Sequence, residues 1–405
     1  MAETSLPPGK ELSPASPAVH GLALQIGAAT LARLVINTSR RFPYIFATAL
    51  SRGLGVPLVG ITSLIAINQA TGVLSPVFGP LGDRWGYRVL MLVGLGVLGV
   101  GMLAGGLIPV YPMALLALFA AGLGKSLFDP ALQSYTGERV PYQRRGLAIG
   151  VIEFSWAGST LVGIPLVALL IERRGWRSPF VMLGGLALLA VLFLAFLIPR
   201  DGRAAPHGGM PGMRAAWRWL SQERAALGAL GFSLLMAAAN DNLFVIYGVW
   251  LEGAFGLSIF ALGVATIAIG LAELLGEGLT AFVADRLGLK RAILIGLVLS
   301  VFSFVVLPVL GQTLPLALTG LFIIFVTFEF TIVTSISLFT EILPGARATM
   351  MSSNVAAMSI GRMIGALMGS SVWLAGGLLV TSLVSAAICV LALALLTWGL
   401  RDWRA

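Results

Sequence analysis

The chain has 405 residues, of which 58% are hydrophobic and only 11% are charged. A water-soluble domain carries roughly a quarter charged residues, so this composition excludes most soluble folds. The histidines, His20 and His207, lie in polar segments, and Cys389 is the single cysteine. A His/Cys metal centre, a disulfide framework and a Cys–His nucleophile pair are therefore disfavoured, and we expect no cofactor.

Apolar stretches of about twenty residues recur along the chain, which is the length that a helix needs to cross a bilayer. Residues 1–20 are rich in Pro and Ser and predict a flexible tail without a cleavable signal peptide. The predicted spans follow in chain order at 23–50, 57–80, 89–110, 113–135, 147–170, 179–198, 227–250, 258–282, 292–310, 314–340, 349–370 and 373–399. Since lipid cannot satisfy backbone polar groups, these stretches predict an all-α membrane protein with twelve transmembrane helices.

A polar, basic linker at 199–226 divides the spans six and six. We therefore predict an N-terminal six-helix bundle at 21–198 and a C-terminal six-helix bundle at 227–400, followed by a short tail at 401–405.

The basic residues predict the orientation of the spans. With the N-terminus in the cytoplasm, Arg and Lys concentrate on the inner loops, and the outer side holds only Arg52, Arg173, Arg174 and Arg177. This positive-inside pattern predicts that both termini are cytoplasmic. It also accounts for the net charge of +9 without a nucleic-acid partner.

The two halves of the sequence repeat one another. Residues 79–88 (GPLGDRWGYR) follow span two, and residues 281–290 (AFVADRLGLK) follow span eight. Asn37 and Tyr44 in span one recur as Asn240 and Tyr247 in span seven. Parallel repeats offset by about 200 residues predict two structurally similar halves around a central site.

The repeated loops carry a family resemblance. The loop after span two resembles the signature of the major facilitator superfamily at Gly79, Asp83, Arg84, Gly86 and Arg88. The loop after span eight resembles its second copy at Asp285, Arg286 and Gly288. The resemblance covers the whole chain and implies two six-helix halves that alternate about a central site, with these loops latching the halves in one state. The alternative is that the loops only fix topology, with Gly86 permitting a tight turn.

Within that family the motifs are most similar in style to the efflux branch, with departures. That branch often carries an Arg in span four, where this chain has Leu118. Span five retains only Gly158, Gly163 and Pro165 of that branch's Gly/Pro ending. Both departures weaken the prediction of drug–proton antiport.

Ionisable residues inside the predicted spans mark candidate functional positions, because a charge in hydrocarbon is costly. They are Arg33, Arg40, Arg41, Lys125, Asp129, Glu153, Asp241, Glu273, Glu277, Glu329 and Arg362. Spans three, six, nine and twelve carry none. In the family that the chain resembles, spans one, four, seven and ten line the central cavity, and spans three, six, nine and twelve face lipid.

Span one carries a polar stripe. Arg33, Asn37, Arg40 or Arg41, and Tyr44 recur at steps of three or four and share one helical face. We predict that this face binds the solute, because the planar fork of Arg suits carboxylate or phosphate. The alternative is that these arginines pair with acids elsewhere and only hold the bundle together.

Further substrate-binding candidates lie in spans four and seven. Lys125 and Asp129 are four residues apart and can neutralise one another on one helical face, as a structural pair or as a solute contact. Asn240 and Tyr247 are the repeat equivalents of the polar residues in span one.

The proton-coupling candidates are Asp241, Glu329 and Glu273. Asp241 and Glu329 are mid-span carboxylates without a cation within one turn of their own helices. Glu273 and Glu277 share a face of span eight, where they either share a proton or meet Arg362. For Arg362 we favour a structural role, because the glycine stripe 361–369 around it allows close helix packing.

The sequence therefore predicts a secondary active transporter, not an enzyme, for a small anionic, zwitterionic or amphipathic organic solute. We expect proton coupling and export, with protons, the solute and membrane lipids as partners, and a monomeric protein. The alternatives are an uncoupled uniporter or a lipid-headgroup translocator, and, from another class, a membrane-embedded enzyme or receptor. Arginine far outnumbers lysine, which favours a GC-rich bacterial genome and an inner (plasma) membrane location.

Overall fold

The computed structural model describes residues 17–78, 85–199, 218, 220–343 and 347–401. Within them, 11 helices are long and apolar enough to cross a membrane. These are α1 (Gly21–Ile45), α2 (Leu58–Phe78), α3 (Tyr87–Leu107), α4 (Tyr111–Arg139), α5 (Leu147–Arg174), α6 (Ser178–Leu197), α7 (Arg224–Phe255), α8 (Ile259–Ala284), α9 (Leu289–Leu310), α10 (Leu314–Ile342) and α11 (Thr349–Gly399). The all-helical, multi-pass architecture is the predicted one.

Helix α11 spans 51 residues and is broken near its middle. A straight helix of that length would measure about 75 Å, whereas the hydrocarbon core of a bilayer is about 30 Å thick. The break lies at Gly376 and Gly377, and Gly377 has a φ of 60°, which glycine adopts without a steric penalty. The break follows a few residues after the predicted boundary between spans eleven and twelve.

The first helix of each half is also interrupted. Helix α1 ends at Ile45 and continues after Phe46 as a short helix, Ala47–Leu54. Helix α7 is interrupted in the same way between Phe244 and Tyr247. A Cβ atom on Gly248 would lie 2.2 Å from the carbonyl oxygen of Ile45, so only glycine lets α1 and α7 cross this closely.

The halves are joined by side chains at one end of the bundle, which we call the closed end. There Glu252 accepts hydrogen bonds from Thr48 and from Arg52, whose Nη2 lies 2.7 Å from its Oε1. Thr62 and Ser370 also meet across the halves, with their hydroxyl oxygens 3.1 Å apart.

The described parts of the repeated loops lie at the opposite end. Gly86 and Gly288 precede α3 and α9 with φ values of 89° and 80°, which confirms the predicted tight turn at Gly86. Arg88 donates to the carbonyl of Ala195 at 2.5 Å, and its repeat equivalent Lys290 donates to the carbonyl of Leu400 at 2.6 Å. In both halves a basic residue thus meets the C-terminal end of the last helix, where the helix dipole favours a cation.

The structure describes only some of the other candidate residues in the repeated loops. Gly79, Asp83 and Arg84 lie outside the described residues. Asp285 begins a short helix, Asp285–Leu287, and Arg286 within it is exposed.

The glycine stripe 361–369 packs α11 against α7, as predicted. A Cβ on Gly361 would lie 2.0 Å from the carbonyl oxygen of Leu234, and one on Gly365 would lie 2.5 Å from that of Ala238. The backbones are therefore in direct contact, and this contact fixes the position from which Arg362 projects.

Candidate functional site

A central cavity lies between the two halves. The first half contributes Arg40, Arg41, Tyr44, Gln69 and Trp156. The second half contributes Asn240, Phe244, Glu273, Phe325, Phe328, Glu329 and Arg362. Six of the predicted site residues therefore line one cavity: Arg40, Arg41, Tyr44, Asn240, Glu273 and Glu329.

An ion pair between Arg41 and Glu273 crosses the cavity wall. Nη1 and Nη2 of Arg41 lie 2.9 and 2.6 Å from the two carboxylate oxygens of Glu273. Thr160 also donates to Glu273 at 3.1 Å, and the Arg41 guanidinium lies 3.8 Å from the centre of the Trp156 ring. The alternative that Glu273 meets Arg362 is therefore wrong, because both carboxylate oxygens of Glu273 are bonded to an arginine of the opposite half.

Asp241 lies beside the cavity and is 1% exposed. Its Oδ2 accepts a hydrogen bond from the Tyr44 hydroxyl at 2.8 Å, and Gln69 donates to the same hydroxyl at 2.6 Å. In the described part of the chain, Oδ1 of Asp241 has no hydrogen-bond partner. No cation of the described residues lies within 4.0 Å of Asp241, so the alternative of a salt bridge to Arg40 or Arg41 is not realised in this conformation.

Arg40 bonds to neutral side chains. Its Nε donates to Asn68 at 2.9 Å and its Nη2 donates to Gln69 at 2.5 Å. The sequence left open whether Arg40 or Arg41 shares the polar face of span one, and in the structure both line the cavity. They differ in partners, since Arg41 is neutralised by a carboxylate and Arg40 is held by amides.

Four predicted residues form a separate cluster inside the first half. Asp129 lies 3.1 Å from Arg33 and 2.7 Å from Lys125, as expected for the i, i+4 pair. Arg33 also lies 3.2 Å from Glu153, and Lys125 donates to Asn37 at 2.6 Å. Two cations and two carboxylates thus balance between α1, α4 and α5, next to the cavity but outside its lining.

Tyr247 is also outside the lining. Its hydroxyl lies 2.9 Å from that of Thr266, and its ring stacks on Phe244 with centroids 5.2 Å apart. Tyr44 donates to Asp241 while Tyr247 meets a neutral hydroxyl, so the sequence repeat does not extend to the hydrogen-bond partners of the two tyrosines.

Half of the lining was not predicted. The additional residues are Gln69, Trp156, Phe244, Phe325, Phe328 and Arg362. Gln69 and its neighbour Asn68 gave a usable signal, because two amides in an apolar span require partners. The aromatic residues gave none, since a cavity-facing phenylalanine is indistinguishable in sequence from a lipid-facing one.

The chemistry available here is ionic and protonic. Arginine forks can hold a carboxylate or phosphate, and buried carboxylates can take up protons. Among the described residues, no group of three or more His, Cys, Asp or Glu side chains is placed to hold a metal ion.

Comparisons with known proteins agree with this architecture. The family model of the Major Facilitator Superfamily matches residues 29–239 and 229–403. An uncharacterised MFS-type transporter, YceJ of Bacillus subtilis, is 27% identical over 71% of this chain and 73% of its own length. A multi-drug resistance efflux pump PmrA homologue of Lactococcus lactis is 26% identical over 62% of each chain. The inward-facing crystal structure of a bacterial homologue of the human lysosomal transporter Spinster covers 96% of this chain and 98% of its own, with a TM-score of 0.78 and 16% identity.

Proposed function

The chain belongs to the major facilitator superfamily, and we propose that it carries a small organic solute across the membrane by proton-coupled alternating access. The observation that carries the proposal is the pair Tyr44–Asp241, which joins the two halves beside the central cavity at 2.8 Å. A carboxylate at a moving interface changes its surroundings when the halves separate, and this change is what coupling a proton to a conformational cycle requires.

The acid–base cycle is assigned to Asp241 and Glu329, with Glu273 as a third acid held by Arg41. Glu329 is 7% exposed and lies in the lining without a cation of the described residues within 4.0 Å. An unpaired buried carboxylate is costly while charged, so taking up a proton stabilises the closed cavity. Water that enters when the cavity opens favours the charged form, and the proton leaves.

We further propose twelve spans, with the two arms of α11 counted separately and both termini in the cytoplasm. This topology makes the closed end the outer end, so the cavity is shut off from the outer side in this conformation. The halves at 21–198 and 227–400 rock as units around the cavity, in a monomer of the bacterial inner membrane.

Export is the proposed direction, and its support is the similarity to the multi-drug resistance efflux pump homologue of Lactococcus lactis. The test is to measure solute flux in proteoliposomes with an imposed pH gradient of either sign. Protease accessibility of the linker at 199–226 determines which way the protein is inserted. Solute movement opposite to the flow of protons supports proton–solute exchange, and therefore export. Solute movement in the same direction as the protons indicates uptake. Solute flux that does not depend on the pH gradient would rule out proton coupling and favour an uncoupled uniporter.

A further inference from the structure

We propose that Arg40 and Arg362 together bind the anionic group of the solute, whose apolar body rests against Phe325 and Phe328. The solute is then an amphipathic organic anion. This inference rests on the proposed transport function and narrows its substrate class.

The first observation is the lack of a carboxylate partner at either arginine. Arg362 lines the cavity from α11, and no carboxylate of the described residues lies within 4.0 Å of its guanidinium. Arg40 faces the same cavity from α1 and is held only by the amides of Asn68 and Gln69. Both are half-buried, so neither charge is fully hydrated by bulk water.

The second observation is that the acids near them are engaged elsewhere or can become neutral. Glu273 is occupied by Arg41, and Asp241 accepts from Tyr44. Glu329 and Asp241 can shed their charge by binding a proton, whereas a guanidinium stays charged in proteins. The cavity therefore keeps a net positive charge when these acids are protonated, and an anionic group of the solute can neutralise it.

The third observation is the way Arg362 is positioned. The glycine contacts with the Leu234 and Ala238 carbonyls bring α11 against the backbone of α7. The guanidinium then lies 5.7 Å from the ring centre of Trp156, within reach of a cation–π interaction with the first half. Arg362 and Arg40 thus approach the cavity from opposite halves, and an anion held between them is released when the halves part.

The apolar wall supplies the other half of the specificity. Phe325 and Phe328 are each 3% exposed and line the cavity from α10, and Phe244 joins them from α7. An apolar ring system with one charged group matches this combination of walls.

The test is calorimetric binding to the full-length protein in lipid nanodiscs with three probes of one shape: 1-naphthoate, its neutral carboxamide, and the 1-naphthylmethylammonium cation. We expect 1-naphthoate to bind about ten-fold more tightly than the carboxamide, because one charge-assisted hydrogen bond contributes about that factor. Arg362→Gln should remove this preference and leave carboxamide binding unchanged. Arg362→Lys should retain part of it, since the charge remains while the fork is lost. The matched control is Arg291→Gln, an exposed arginine at the start of α9.

Each outcome bears on the proposal. Equal binding of the anion and the carboxamide, tighter binding of the cation, no binding of the anion, or an unchanged preference in Arg362→Gln would each overturn it. A parallel assay follows proton movement in proteoliposomes while each probe is added. Proton movement driven by the cation or the carboxamide would preserve the transport function and reject the anion site, whereas proton movement with no probe would place the transport proposal itself in question. The melting temperature of each unliganded variant separates lost binding from misfolding.

Discussion

Arg41 and Glu273 form a buried, two-pronged ion pair that joins the first half of the chain to the second, with N–O distances of 2.9 and 2.6 Å. The two residues are 5% and 1% exposed. A buried pair favours a conformation only while both partners are present, because a single buried charge is strongly unfavourable. Any movement that parts the halves at this depth must therefore rehydrate or neutralise the pair.

Glu273→Gln should destabilise the protein, because it leaves Arg41 charged, buried and unpaired. The expected loss is about 3–5 kcal/mol in the free energy of unfolding, read as a lowered melting temperature of the detergent-solubilised protein. Glu277→Gln is the matched control, one turn further along the same helix and half-buried. It should melt close to the unmodified protein.

Replacing both partners tests whether the ion pair itself is responsible. The double variant Arg41→Leu, Glu273→Leu should recover most of the stability, since well-packed apolar residues often replace a buried pair at little cost. Transport by the double variant should be lost, because the contact can no longer be broken and remade by ionisation or water. If the double variant is as unstable as Glu273→Gln, the loss of stability is due to altered packing and not to the unpaired charge.

Glu252→Gln should shift the protein away from its present conformation. Glu252 accepts from Thr48 and Arg52 across the closed end, and a half-exposed network of this kind contributes about 1 kcal/mol, or about a five-fold change in the ratio of states. Ser370→Cys reports this change, because Ser370 is fully buried where the halves meet and the native Cys389 is buried as well.

The readout is the labelling rate of that cysteine by a water-soluble maleimide. Glu252→Gln should accelerate labelling about five-fold. Glu172→Gln, an exposed carboxylate at the end of α5, should leave the rate unchanged. Equal acceleration in both variants would indicate a general loosening of the structure.

Gly288→Ala should destabilise the protein through backbone strain alone. Gly288 has a φ of 80°, and no heavy atom lies within 4 Å of an added Cβ. A non-glycine residue in this region costs on the order of 1–3 kcal/mol, which the melting temperature measures. Gly278→Ala on α8 also meets open space but lies in a helix, where Ala is favoured by about 0.5–1 kcal/mol. Opposite signs for the two variants are the expected result, and a stabilising Gly288→Ala would contradict it.

Much of the architecture was predictable, because each feature depends on local composition. Apolar length gave the helices, the repeated loops gave the internal duplication, and Gly86 and Gly361 gave a tight turn and a close helix contact. The break in α11 at Gly376 and Gly377 lies a few residues inside the apolar stretch predicted as the last span, because a continuous apolar sequence does not mark where one span ends.

The pairing of charges was less predictable. Arg41 and Glu273 are separated by 232 positions in the chain, and their contact depends on the rotation and depth of two helices in different halves. Composition shows that both are buried and charged but does not show which partner each one meets. The same limit explains why Arg362 was assigned to packing, since its glycine neighbours were visible and the cavity on its other side was not.

The last prediction concerns Asp241. Asp241→Asn should abolish solute accumulation driven by a pH gradient while leaving solute exchange measurable, because the amide keeps the Tyr44 hydrogen bond but cannot exchange a proton. Stability should hold, since no cation of the described residues lies within 4.0 Å of the carboxylate to be stranded by its loss. Tyr44→Phe is the matched control: it removes the 2.8 Å hydrogen bond and keeps the acid, so accumulation should persist with a shifted pH optimum. Proteoliposome uptake and counterflow, measured side by side, separate the two functions. Full gradient-driven accumulation by Asp241→Asn would indicate that Glu329, and not Asp241, carries the proton. If yield, melting temperature and exchange all fall together, Asp241 has a structural role instead.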